Sequence, residues 1–229
     1  MPYIQSAQLR DISGSATTTV AFAATVTLGN FILVATRGGD STDQSPTFSD
    51  SRGNAYTTDR KQIITGDRLV VVASAPVQSA GACSVSVQWT NAGPTLWTAI
   101  HEYSGIQLAS AVDQSVSAEG NSTTPSSGTL TSTVEGLLFG ACITGANATT
   151  PTVGAGFAFR EQVDGTQLRL LTQERVAPAG PYAATLTLGA ASTWAMVCVA
   201  YKAAAVPGRL DYAYPKVWAQ GALATGELA

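Results

Sequence analysis

Apolar residues in this chain come in short clusters, and almost every cluster has the spacing of a strand. In "CSVSVQW", residues 83–89, Cys83, Val85, Val87 and Trp89 alternate with Ser84, Ser86 and Gln88. Successive side chains on an extended backbone point to opposite faces, so this alternation predicts a strand with one buried face and one wet face. "YAATLTLG", residues 182–189, repeats the idea with Ala184, Leu186 and Leu188 against Thr185 and Thr187. Residues 31–35 (FILVA) and 69–73 (LVVVA) are instead unbroken apolar runs of strand length, as in strands covered on both faces. Turn formers separate the clusters: Gly38-Gly39, Gly53-Asn54, Gly93-Pro94, Gly145, Gly165 and Gly180-Pro181. No stretch carries a helical period. The pattern predicts an all-β protein, a two-sheet antiparallel sandwich of about 12 to 14 short strands.

The pattern also occurs twice. "GDRLVVVASAPV" (66–77) aligns without gaps on "GTQLRLLTQERV" (165–176), and "TVTLGNFILVA" (25–35) on "TSTVEGLLFGA" (131–141). "AGACSVSVQW" (80–89) matches "AGPYAATLTL" (179–188), and "WTAIHEY" (97–103) matches "WAMVCVAY" (194–201), which is one residue longer. Four weak blocks in one order read as an internal duplication. The halves run over about 16–105 and 128–203 within a sandwich spanning 1–203, and 204–229 is left as an extended C-terminal tail. One continuous sandwich is expected, because each half alone would bury only a thin core.

The repeat bears on "SDSRGNAYTT" (49–58), where Asp50, Ser51 and Asn54 invite a metal-loop reading. "PTFSDSRGNAY" (46–56) matches "PTVGAGFAF" (151–159), which begins and ends alike yet contains no acid. The same strand–turn–strand geometry is therefore expected to form without ligands, with Gly and Asn accepting positive φ and Asp and Ser bonding their own backbone. The alternate carboxylates and distal Glu of a calcium loop are also missing.

Composition narrows the function classes. Of 229 residues, 45% are hydrophobic and only 12% charged, about half the usual charged fraction. That is too apolar for disorder and suits strands whose polar faces carry Thr, Ser and Gln. The net charge is −3 and no Lys/Arg cluster exists, so nucleic-acid binding has no electrostatic basis. No apolar run reaches the roughly 20 residues of a membrane span, and the first residues lack the basic and apolar regions of a secretion signal. Cys83, Cys142 and Cys198 each lie in an apolar run and read as buried thiols of a protein folded in a reducing cytosol.

The order "LGNFILV", "PTFSDSRGNAYTT", "ACSVSVQW", "HEYSG", followed by a second, degenerate copy ending "WAMVCVAYK", resembles a family of duplicated β-sandwich proteins of bacteriophage structural gene sets and bacterial surfaces. The resemblance rests on Gly29-Asn30, on Asp50-Ser51, Gly53-Asn54 and Tyr56, and on Glu102-Tyr103-Ser104-Gly105, and covers about residues 16–203. It implies a jelly-roll-like sandwich that binds or builds surfaces, with no chemistry attached.

The residues themselves supply no catalytic constellation. His101 is the only histidine, its neighbour Glu102 points to the opposite face of any strand, and the second copy has apolar Val199 in its place. The carboxylates Asp40, Asp43, Asp50, Asp59, Asp67, Asp113 and Glu119 are scattered, with no pair marked out for glycoside hydrolysis. Trp89, Trp97, Trp194 and Trp218 suggest either a sugar platform or core packing, and the recurrence of Trp97 as Trp194 favours core. No catalytic residue, metal site or cofactor is expected. The tail carries Tyr212, Tyr214, Pro215 and Trp218, an aromatic cluster interrupted by proline and suited to docking, either back on its own sandwich or on a neighbouring subunit. The expected role is a non-enzymatic virion component, a capsid decoration or tail/fibre protein assembled in the host cytoplasm, with other virion proteins or copies of itself as partners and no nucleic acid or membrane. A carbohydrate-binding, lectin-like module for cell-surface attachment is the alternative, and a hydrolase ranks last.

Overall fold

A computed structural model describes residues 1–39, 45–90, 95–145, 151–163 and 169–205. The described residues contain strands and turns and no helix. The first eight strands are β1 (Tyr3–Asp11), β2 (Thr17–Ala21), β3 (Phe31–Gly38), β4 (Thr47–Asp50), β5 (Thr57–Ile63), β6 (Leu69–Pro76), β7 (Ser84–Gln88) and β8 (Leu96–Tyr103). The second set is β9 (Val112–Ser122), β10 (Leu130–Ser132), β11 (Gly136–Thr144), β12 (Thr152–Val153), β13 (Ala158–Val163), β14 (Arg169–Ala177), β15 (Gly180–Tyr182), β16 (Leu186–Thr187) and β17 (Ser192–Lys202).

Two five-stranded antiparallel sheets dominate, in the orders β1-β8-β3-β6-β5 and β9-β17-β11-β14-β13. Each strand of the first has its counterpart at the same place in the second. A three-stranded sheet, β2-β7-β4, accompanies the first, and the short pairs β10-β15 and β12-β16 occupy the corresponding places in the second. In the first set the order 1-8-3-6 opposite 2-7-4 is jelly-roll-like, with β5 added beside β6 instead of beside β4, and in the second set the place of β7 is divided between β15 and β16. The equivalence includes β1 and β9, which the four sequence blocks leave out.

The two large sheets pack face to face and share one core. Leu33, Ala35, Val72 and Tyr103 meet Phe139, Ala141, Val197 and Tyr201 there. The antiparallel sandwich expected from the sequence is present, but with 17 strands among the described residues instead of 12 to 14, and with further layers outside it: the three-stranded sheet over one face and the two short pairs over the other. Ile32, Val34, Val71, Val85 and Val87 form the outer core of the first half, and Leu138, Cys142, Leu171, Leu186 and Met196 that of the second. Strands β3 and β6 are therefore covered on both sides, which explains their unbroken apolar runs. Strand β7 covers one side only, and its Val85 and Val87 are buried while Ser84, Ser86 and Gln88 are not.

Register corrects two sequence matches. Phe31 pairs with Tyr103 and Pro76, and Leu137 pairs with Tyr201 and Val176. Pro76, not Val77, is thus the counterpart of Val176, and the block 66–77 is shifted by one residue from its apparent match. A continuous apolar run carries no phase, so a gapless match can slip by one and exchange the two faces. Counting back from the two tyrosines, Trp97 corresponds to Ala195 and Trp194 to Leu96. The two tryptophans are not equivalents: Trp97 faces the shared core and Trp194 the outer one.

Each large sheet also has two bulges at equivalent places. Ile4 and Asp113 are skipped in the pairings of β1 and β9, and Asp59 and Arg160 in those of β5 and β13. A bulge re-aims a side chain at a sheet edge, and the second pair matters below.

Candidate functional site

The motif residues come together as two polar clasps. Asp50, at the end of β4, accepts hydrogen bonds from the backbone N–H groups of Arg52 at 2.8 Å and Asn54 at 3.1 Å. It also accepts from Asn54 Nδ2 at 2.8 Å and the Tyr56 hydroxyl at 2.9 Å. Gly53 takes φ +73° at the tip of the turn, and Asn54 Oδ1 accepts the Gln78 N–H at 2.8 Å. Both carboxylate oxygens are engaged by protein donors, so the loop is a turn closed by its own side chains. No group of three or more His, Cys, Asp or Glu among the described residues is arranged to hold a metal.

The second clasp is Glu102 on β8, which is fully buried. It accepts Gln5 Nε2 at 2.6 Å, the Thr27 N–H at 2.9 Å and Asn30 Nδ2 at 2.7 Å. Glu102 thereby ties β1 and the loop before β3 to β8. The Gly29-Asn30 and Glu102-Tyr103 motifs, 72 residues apart, are two parts of one joint.

His101 points the other way, into the shared core, with its ring 5.1 Å from that of Phe139. Burial, with the charge of Arg160, pushes its pKa down to about 3, so it stays neutral at ordinary pH. Trp89, Trp97 and Trp194 are buried as well. The three cysteines are free and buried, and burial pushes the Cys83 thiol up to about 11 and Cys198 to about 12. None of these groups is presented to a substrate. Tyr212, Tyr214, Pro215 and Trp218 of the tail, with Asp40 and Asp43, lie outside the described residues.

A pocket that the sequence does not announce lies at the seam between the halves. It has a volume of about 240 Å³ and is lined by Phe31, Asp59, Ser74, Pro76, Ser110 and Val112 among others. Ser110 has φ +50°, a left-handed conformation unusual for a residue other than glycine. Asp59, the bulge residue of β5, accepts the Tyr201 hydroxyl from the opposite sheet at 2.5 Å. Burial raises its pKa from an ordinary 3.8 to about 6, against hydrogen bonds from Tyr201 and Ser74 that favour the charged form. Among the described residues Asp59 forms no ion pair.

The equivalent place in the second half is built differently. Bulge residue Arg160 pairs with Glu174, and its guanidinium lies 4.2 Å over the ring of Tyr3. The Tyr103 phenol, counterpart of Tyr201, is pushed up by burial with Glu174 beside it. Asp59 belonged to the scattered carboxylates of the sequence, and the one-residue slip in the β6 block hid the correspondence of Ser74 with Glu174. The correct register is the only signal that reveals the two sites as counterparts. No family model, curated protein or solved structure matches this chain.

Proposed function

We propose that this chain is a non-enzymatic structural subunit that acts by assembling through protein–protein contacts, as a component of a bacteriophage virion such as a capsid decoration or tail/fibre protein. The observation that carries the assembly reading is the row of exposed apolar side chains along β1, the edge strand of the first large sheet. Strand β1 has nine residues and, among the described residues, pairs with β8 alone. It contains neither Lys nor Pro, and its protection is limited to the bulge at Ile4 and the charges of Arg10 and Asp11 at its far end. Ile4, Leu9 and the following Ile12 are exposed along it, Ile12 to 67%. Apolar side chains along an edge strand are a feature that strand addition uses.

The low charged fraction favours association in the same direction. The virion assignment rests on the motif resemblance, and other virion proteins or further copies of the chain are the partners it implies. A lectin-like reading gains nothing from the three described tryptophans, since their faces are buried. The test is light scattering on the full chain and on a variant carrying Leu9→Lys and Ile12→Lys. Assembly through this edge gives a concentration-dependent mass for the full chain and a monomer for the variant. A full chain that stays monomeric up to high concentration overturns the reading.

A further inference from the structure

The two halves differ at three counterpart positions that lie together. By register, Asp59, Ser74 and Val112 hold the places of Arg160, Glu174 and Tyr3. At the Arg160 site those three long side chains pack together, with the cation of Arg160 held between a carboxylate and an aromatic face. At the Asp59 site each is replaced by a smaller residue, and the pocket of about 240 Å³ touches all three replacements. The missing cation leaves an acid in its place.

We infer that this pocket binds one cationic group, a guanidinium or primary ammonium, with Asp59 as counter-ion and Tyr201 as the residue that positions the carboxylate. Phe31 and Pro76 supply apolar walls for the methylene stem of such a group. A carboxylate in this seam carries a burial penalty, and a bound cation relieves it. The hydrogen bonds from Tyr201 and Ser74 leave the carboxylate room for a further donor, because an ionised carboxylate accepts about four. The inference stands apart from the assembly reading, since neither Leu9 nor Ile12 lines the pocket.

The cation has two possible sources, a free ligand or residues 206–229, which include Arg209 and Lys216. The experiment is calorimetric titration with agmatine, and with neutral butylurea as control, of the full chain and of a chain ending at Ala205. Asp59→Asn is the test variant, its fold checked by circular dichroism. A second variant, Asp59→Arg with Ser74→Glu and Val112→Tyr, rebuilds the filled counterpart. Agmatine is expected to bind, butylurea not, and both variants to lose affinity by at least about tenfold, the scale of one charge-assisted hydrogen bond. The carboxyl carbon of Asp59 should titrate at lower pH when agmatine is bound. Binding by both chains identifies a free-ligand site, and binding by the shortened chain alone assigns the cation to residues 206–229. Failure of both chains to bind, or binding undiminished in Asp59→Asn, overturns the inference.

Discussion

Replacing Asp59 by Asn should stabilise the protein at neutral pH and leave it unchanged in acid. The unfolded chain ionises this group near 3.8 and the folded chain near 6. Between those values the folded state holds a proton that the unfolded state has lost. The group's contribution is therefore most favourable below about pH 4, falls as pH rises through 6, and stays at its lowest above. Two pKa units correspond to about 3 kcal/mol. Asparagine cannot ionise, and its carbonyl oxygen can still accept the Tyr201 hydroxyl. Urea unfolding of both proteins as chains ending at Ala205, which lack Arg209 and Lys216, should give curves from about pH 3.5 to 7.5 that coincide in acid and diverge to about 3 kcal/mol in favour of the variant. Tyr201→Phe removes a donor that favours the carboxylate, so its curve should fall further with pH than the wild type. A stability difference independent of pH, or a wild type that gains on the variant as pH rises, would refute the reasoning.

Glu102→Ala should be far more damaging, because it leaves the donors of Gln5, Thr27 and Asn30 without their shared acceptor. A loss of about 3–5 kcal/mol in chemical denaturation is expected, with Glu102→Gln intermediate. Gly38→Ala would place a Cβ 2.6 Å from both Leu96 Cδ2 and Trp89 Cε2, so overpacking should cost about 1–3 kcal/mol in the same assay. Cys83, Cys142 and Cys198 are all buried and should resist an aromatic disulfide reagent at pH 8 until the protein is unfolded, when all three react. Reaction of any of them in the native state would contradict the core assignment.

Much of this architecture was readable in the sequence, for a physical reason. Strand β7 shows its faces through alternation, and β3 and β6 show double coverage through unbroken apolar runs. The turn at Asp50 was legible because its acid-free counterpart shares the flanking residues. Register was not legible, since the run LVVVA looks the same when shifted by one. The matching tryptophans compounded the error, because chance placed Trp97 and Trp194 one position apart on opposite faces. The pocket depends on both register and bulges, and residues as unlike as Asp59 and Arg160 give no sign that they are counterparts. The clasp at Glu102 reads in the sequence as two separate motifs, because 72 residues separate partners that a single hydrogen bond joins.

Assembly is the central claim, and sedimentation velocity tests it most directly, comparing the full chain with a chain ending at Ala205 and with the Leu9→Lys, Ile12→Lys variant over a wide range of concentration. The account predicts that the full chain sediments as an oligomer and that the edge variant sediments as a monomer with unchanged circular dichroism. The shortened chain then reports whether residues 206–229 contribute to the contacts. A full chain that sediments as a single monomeric species at every concentration, alone and with its edge intact, would contradict the account.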